Sequence, residues 1–327
     1  MKHLLTLLAA ASIALVAAAA TPSAAAPPGV VAIRTPGFPA HVSAGFRSIW
    51  VISHRGGYLY RIDPRTNRVA ATIDVTDALC FVPTVAGGAL WVSNCGGLAA
   101  FETVYKVDPA TNRVVDRVPG NSPAFGAGSL WTFVSKENRI YRIDPRSGLV
   151  LKTIRIARLG ADAQGVFTVG GTAYGSTWIG TCSQVARIST ATNVVQSIIR
   201  LPRSAACGTL RRGYLAGARM GFVDDRAWYV TENGLYSIDA RSNRARRVPI
   251  RVLPHVEWGD DVVIGRYGSV WVRTSDTRVS RIDPRSGRVV ATYPATGGGG
   301  GFTLAFGSLW VTNAISDTVW RERLRKP

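Results

Sequence analysis

The stretch LWVTNAISDTVWRE, from Leu309 to Glu322, holds a Trp-centred apolar strand and stands five residues before the last residue of the sequence. Its first half recurs as SIWVIS, ALWVSN, SLWTFV, STWIGT, RAWYVT, SVWVRT and SLWVTN. These copies place seven tryptophans in register at positions 50, 91, 131, 178, 228, 271 and 310. Repeats of about 40 residues that are rich in short strands are typical of β-propeller blades.

A second strand and a turn follow each of the first six tryptophans after about ten residues. The first copy is YRIDPRTNRV and the sixth is SRIDPRSGRV. In the first turn, Asp63 can accept a local backbone hydrogen bond, Pro64 presets φ, and Asn67 tolerates the left-handed conformation. Gly148 and Gly287 take that last position in two other units. Gly-Ser pairs before several tryptophans mark another tight turn, so each unit should contain four strands.

The seventh unit has no fourth strand after TVWRERLRKP. Near the other end of the chain, VVAIRTPG (Val30 to Gly37) parallels VVATYPAT (Val289 to Thr296). An N-terminal strand that completes the last blade closes the ring and leaves no open sheet edge. The sequence therefore predicts an all-β fold, a seven-bladed β-propeller of four-stranded antiparallel blades. A stacked β-solenoid is the alternative, and it gives no reason for the matching terminal strands.

Residues 1–25 have the composition of a secretory signal peptide. Lys2 and His3 precede a run of apolar residues, and small residues follow it up to Ala25. An uncleaved anchor is the alternative. No later run is long enough to span a bilayer as an apolar helix. We therefore expect residues 26–327 to form a single propeller domain of a secreted or periplasmic protein that has no membrane span and is a monomer.

The formal net charge of +19 comes mostly from arginine. Such a charge favours anionic partners, but no nucleic-acid-binding motif accompanies it and export argues against nucleic acid. Many arginines fall at the Asp-Pro turns, where they form either an anion-binding ring or a solvated rim. These are Arg65, Arg68, Arg113, Arg146, Arg241, Arg244, Arg285 and Arg288.

In a propeller, the inter-blade connections and the turns after each second strand share one face, here called the connection face. The Asp-Pro and Gly-Ser turns share the other, the turn face. All four cysteines are expected on the connection face, and export favours the disulfides Cys80–Cys95 and Cys182–Cys207. No CxxC spacing indicates a metal site.

The connection face should also carry the groups that chemistry would need. His41, His54 and Glu232 fall there, and LPHVEWGDD sets His255, Glu257, Trp258 and Asp260 close together. The catalytic candidates are His255, Glu257, Glu232 and His54, because a His–Glu pair can transfer protons or hold a divalent cation. The ligand-binding candidates are Trp258, His41 and Asp260. Chance placement in polar loops is the alternative interpretation.

The segments LWVTN and VSRIDPRSGRVVATYP resemble the YVTN-type β-propeller repeat. More distantly, the Gly-Ser-Leu-Trp-Val-Thr pattern is similar to the streptogramin (virginiamycin B) lyase family of seven-bladed propellers. That resemblance implies a His/Glu site with magnesium on the connection face. Thr231-Glu232 is the only unit that resembles the Thr-Glu turn of those lyases.

We therefore expect a non-enzymatic binding or scaffold protein that recognises a small molecule, glycan or protein on its connection face. The alternative is a streptogramin-lyase-like enzyme or hydrolase with a His/Glu site on the same face, for which a divalent cation is the one cofactor suggested. The residues do not name the ligand.

Overall fold

The computed structural model describes residues 26–95, 102–134, 137–156, 168–181, 183–202, 219–231, 233–252, 263–297 and 299–325. These residues form seven four-stranded antiparallel sheets. The sheets are the blades of a β-propeller, as predicted. Within the described residues, no helix has the length and apolarity needed to cross a bilayer.

The first four blades follow the chain without a crossover. Blade 1 contains β2 (Pro39–Gly45), β3 (Ser48–Ser53), β4 (Tyr58–Asp63) and β5 (Arg68–Asp74). Blade 2 contains β6 (Leu79–Ala86), β7 (Ala89–Asn94), β8 (Thr103–Asp108) and β9 (Arg113–Pro119). Blade 3 contains β10 (Asn121–Gly126), β11 (Ser129–Val134), β12 (Arg139–Ile143) and β13 (Val150–Arg155). Blade 4 contains β14 (Thr168–Ala173), β15 (Ser176–Gly180), β16 (Gln184–Ser189) and β17 (Val195–Arg200).

The last three blades end with the one that joins the two chain ends. Blade 5 contains β18 (Gly221–Val223), β19 (Arg226–Thr231), β20 (Gly234–Asp239) and β21 (Ala245–Arg247). Blade 6 contains β22 (Ile264–Arg266), β23 (Ser269–Ser275), β24 (Arg278–Ile282) and β25 (Val289–Pro294). Blade 7 contains β26 (Phe302–Ala305), β27 (Ser308–Asn313), β28 (Thr318–Arg323) and β1 (Val31–Arg34).

The predicted closure by the N-terminal strand is confirmed. β1 pairs antiparallel with β28, with Val31 opposite Arg321 and Arg34 opposite Thr318. Beyond the strand, Thr35 N donates to Asp317 O at 2.8 Å and Phe38 N donates to Asp317 Oδ1 at 2.9 Å. The outer edge of the last blade is therefore covered by β1, from the N-terminal part of the described chain.

The turn chemistry follows the sequence prediction. Asp63 Oδ1 accepts a hydrogen bond from Arg65 N at 2.8 Å, and Asn67 has φ +57°. Gly148 and Gly287 take the same left-handed position at φ +74° and +69°. Each turn between a first and a second strand has two consecutive positive φ values, the pattern of a type I′ hairpin.

The seven tryptophans are the centre of the core, and each is at most 2% exposed. Besides the packing of their rings, the tryptophans form hydrogen bonds through their indole N–H groups. In six blades Nε1 donates to the backbone carbonyl five residues earlier, at the turn-face end of the first strand, as from Trp50 to Gly45 at 3.0 Å. The tryptophan thus fixes the first strand to the second while its ring packs between blades.

A cation on the third strand covers most of these rings and reaches the next blade. Arg61, for example, lies 5.2 Å from the Trp50 ring centroid and donates to Pro109 O at 2.7 Å and Asn112 Oδ1 at 3.0 Å. We call such a contact an inter-blade clasp. The clasps are Arg61 to Asn112, Arg142 to Asn193, Arg187 to Asn243 and Arg321 to Asn67.

Candidate functional site: the central channel

First strands of neighbouring blades contact one another, as β2 contacts β6 and β26, and the first strands surround a central channel. Every first strand runs from the connection face to the turn face, because the type I′ hairpin follows it. The start of each first strand therefore lies near the connection-face mouth, and its end lies near the turn-face mouth. The chain direction alone therefore shows which residues lie near each mouth of the channel.

His41 lies in β2, in the connection-face half of the channel, and is only 5% exposed. Burial, followed by the charges of His54 and Arg219, lowers its pKa from 6.5 to about 3. The imidazole is therefore neutral at physiological pH. Its Nδ1 is buried and has no hydrogen-bond partner among the described residues. A Cβ at Gly301 would lie 3.3 Å from that nitrogen, so glycine leaves room for the ring.

His54 follows β3 on the connection face and faces the Cys80–Cys95 disulfide. Its Nδ1 lies 3.4 Å from Cys80 Sγ, 3.3 Å from Cys95 Sγ and 3.4 Å from Leu79 O. Burial is the largest influence on this group, and it lowers the pKa of the imidazole. His54 is thus held against a covalent link between the start of β6 and the residue after β7.

The Cys80–Cys95 disulfide is confirmed, with a Cα–Cα distance of 4.8 Å. Cys80 lies inside β6, because the strand begins at Leu79 and continues past a register shift between Cys80 and Thr84. His54, Cys80 and Cys95 would form a metal-ligand cluster if the cysteines were thiolates. With both sulfurs bonded to each other, the cluster offers one imidazole nitrogen and no thiolate.

Arg219 extends across the channel from blade 5 to blade 2. Its Nη2 donates to Thr84 Oγ1 at 2.8 Å, and Thr84 Oγ1 donates in turn to Pro123 O at 2.6 Å. Burial lowers the pKa of Arg219 to about 10, so the guanidinium stays charged at neutral pH. None of the ion pairs within the described ranges involves Arg219.

Sequence reasoning missed Arg219, although a signal for it exists. Arg219 precedes Trp228 by nine residues, as His41 precedes Trp50. Aligned on their tryptophans, the blades therefore place both residues at one level of the channel. The same position holds Val82 in blade 2, Ser122 in blade 3 and Gly301 in blade 7. A charged residue at a position that holds uncharged residues in the other described blades marks a candidate site.

Most of the predicted site residues lie in segments outside the described ranges. Glu232, His255, Glu257, Trp258, Asp260, Cys182 and Cys207 lie outside the described residues, so their predicted roles and the second disulfide stay predictions. The eight arginines at the Asp-Pro turns are all exposed, which fits the solvated rim. Arg219, by contrast, is a cation inside the channel.

Fold and channel together define a seven-bladed β-propeller. Three solved structures are similar to it across most of the chain. They are BamB from Moraxella catarrhalis (TM-score 0.57, 12% identity, 87% of this chain and 84% of that one), Kuenenia stuttgartiensis hydrazine synthase (0.61, 16%, 89% and 96%), and the computationally designed Ika8 protein (0.57, 8%, 90% and 98%). At these identities the likeness concerns the fold alone.

No protein-family model matches the sequence, and no curated protein matches it. Function therefore has to be argued from the site, because propellers with one architecture carry unrelated activities.

Proposed function

We propose that this protein is an exported, non-enzymatic binding protein that recognises its ligand on the connection face. The supporting observation is the state of the two described histidines there. His41 is neutral, with a pKa of about 3, and burial lowers the pKa of His54 as well. A general acid or base works best with a pKa near the operating pH. His41, with a pKa of about 3, instead suits fixed, neutral recognition or support of the channel wall, and His54 packs against the disulfide.

Export is part of the proposal. The signal-peptide composition of residues 1–25 and the Cys80–Cys95 disulfide both favour an oxidising compartment. In that setting the disulfide holds the connection-face ends of β6 and β7 together. Loops mounted on such a rigid scaffold are where binding residues usually lie. We assign ligand contact to the segment with His255, Glu257, Trp258 and Asp260, where Trp258 would supply a stacking surface.

A thermal-shift screen on the mature protein tests the proposal. The probes are Mg²⁺, Mn²⁺, cyclic depsipeptides and acidic oligosaccharides, and the hits are followed by calorimetry. We expect saturable binding that the double variant His255→Ala/Glu257→Ala weakens at least tenfold without a change in melting temperature. Arg113→Gln, an exposed turn-face change, is the matched control.

The fate of the bound compound separates binding from catalysis. Mass spectrometry after incubation should recover it unchanged. Conversion of a cyclic depsipeptide to a linear product, dependent on Mg²⁺, would instead support the lyase alternative. Equal binding by the double variant would reject the connection-face loop as the site.

A further inference from the structure

A cavity of about 400 Å³ occupies the turn-face half of the channel. Six of the seven first-strand regions contribute to its wall, from Val42 in blade 1 to Thr303 in blade 7. The residues nearest the turn face include Phe125, Phe222 and Arg266. Phe125 is 44% exposed and Arg266 is exposed, so this end of the cavity is open. The volume lies within the range of small-molecule sites.

Arg219 provides the charge on the cavity wall. It is among the lining residues, and it spans the channel to Thr84. Because Arg219 precedes β18 and the first strands run toward the turn face, it lies on the connection-face side of the cavity. A guanidinium has five N–H donors. One is used by Thr84, and the other donors have no acceptor among the described residues. Thr84 itself is buried, and its single hydroxyl hydrogen is already donated to Pro123 O.

Arg219 is half-buried and has no carboxylate partner among the described residues. Its planar donors match a carboxylate bidentately, and such charge-assisted hydrogen bonds are strong. An anion entering the cavity would therefore gain a charge-assisted pair that none of the described residues makes with Arg219. Arg266 at the mouth is a second cation, and its guanidinium lies 5.1 Å from the Tyr267 ring centroid. The electrostatic potential of both groups draws a negative ligand inward.

Beside the hydroxyl residues Ser43, Thr84 and Thr303, the wall carries aromatic and apolar side chains. Phe222 packs edge-on against Tyr174 and at a tilt against Trp178, at centroid distances of 6.0 Å each. A Cβ at Gly171 would lie 2.6 Å from the Phe222 ring, so glycine on β14 makes space for it. Phe125 presents a second ring from β10. Such fixed rings favour a flat apolar body.

We propose that the turn-face half of the channel is a binding site for a small organic carboxylate with an aromatic or apolar body. The carboxylate pairs with Arg219, and the body packs on Phe125 and Phe222. This site is separate from the connection-face site proposed above, and either can fail without the other.

Calorimetry with phenylacetate, 4-hydroxyphenylacetate and hexanoate tests the proposal on the mature protein. We expect saturable binding of at least one probe. The corresponding neutral amide should bind at least roughly tenfold more weakly, because a hydrogen bond to a charged group is lost. This comparison uses the wild-type protein and does not depend on whether a variant folds.

Variants then locate the site. Arg219→Met should reduce affinity at least tenfold, Arg219→Lys should retain part of it, and Arg113→Gln should leave it unchanged. Phe125→Ala should weaken the aromatic acids more than hexanoate. The double variant His255→Ala/Glu257→Ala should bind phenylacetate normally, which separates this site from the connection-face site. No saturable binding by any of the three acids, equal binding of acid and amide, or full affinity in folded Arg219→Met would overturn the proposal.

Discussion

At the residue scale, His41 and Arg219 show how one position in a repeat can take two electrostatic roles. Burial lowers the pKa of both side chains, to about 3 for His41 and to about 10 for Arg219. The unperturbed pKa values, 6.5 for histidine and 12.5 for arginine, decide the charge at pH 7. The histidine becomes neutral, while the arginine keeps its charge. One channel level therefore carries a neutral imidazole and a cation that crosses to the opposite wall.

The lowered pKa of His41 predicts acid sensitivity. The unfolded state binds a proton below pH 6.5, whereas the folded state resists protonation until about pH 3. The part of the folding stability that requires an unprotonated His41 is therefore fully present above pH 6.5 and is lost as the pH falls below that value. At pH 4.5 the loss is on the order of 2 to 3 kcal/mol.

Urea unfolding at pH 7.5 and pH 4.5 measures this effect. His41→Leu should lose less stability between the two pH values than the wild-type protein does, by that amount. Val82→Ala changes the same channel position in blade 2 without a titrating group, so it should keep the wild-type pH dependence. Identical pH dependence in wild type and His41→Leu would contradict the assignment of a neutral, buried imidazole.

At the element scale, the inter-blade clasps pair the third strand of one blade with the turn of the next. Where the turn has asparagine, the preceding blade supplies arginine. Where it has glycine, as at Gly148 and Gly287, the preceding blade has Lys106 and Ser237 instead. The sequence shows both halves of each pair, but they belong to different blades and lie 51 to 56 residues apart in three clasps and 254 residues apart in the fourth. Only the assembled ring shows that they touch.

The clasp between the last and first blades can be measured with a double-mutant cycle. Asn67→Gly removes the amide acceptor and keeps the left-handed backbone, and Arg321→Met keeps the apolar stem on Trp310. We expect a coupling free energy of about 1 kcal/mol in urea unfolding. The pair Asn112→Gly and Arg321→Met, whose residues do not form a clasp, should be additive. Additivity in both cycles would show that the clasp contributes nothing.

Disulfide mapping tests the assignment of loops to faces. A digest of the protein purified without reductant should contain the Cys80–Cys95 link of the structure, and we also expect the link Cys182–Cys207. Crossed pairs would contradict both the structure and the assignment. Free thiols at Cys182 and Cys207 would remove only the second link.

At the scale of the whole molecule, the sequence predicts the fold well because the repeat encodes it locally. Each repeat contains its own Trp-bearing strand and its own turn residues. The seventh repeat lacks a fourth strand, and the segment that begins at Val30 matches that missing strand. The site is harder to predict, because side chains from different blades meet only in the channel. Arg219 and Thr84 are 135 residues apart in the chain. No local pattern joins them, although alignment on tryptophan marks Arg219 as unusual.

Ring closure predicts that the first strand is essential. Deleting residues 29–35 should leave β28 unpaired, lower the melting temperature by at least about 5 °C, and promote aggregation through the open edge. Deleting residues 26–28, which precede β1, is the control and should change neither property. Calorimetry and light scattering measure both. A truncated protein that stays monomeric and melts at the full-length temperature would contradict closure.

The claim that the connection face binds a ligand is tested most directly by hydrogen–deuterium exchange with the compound returned by the thermal-shift screen. We expect protection in the segment containing His255 and Glu257 and at the connection-face starts of the first strands, including Pro39 to His41. The turn-face hairpins should exchange as in the free protein, and the compound should be recovered unchanged. Protection confined to the turn face, or a chemically altered compound, would contradict the account.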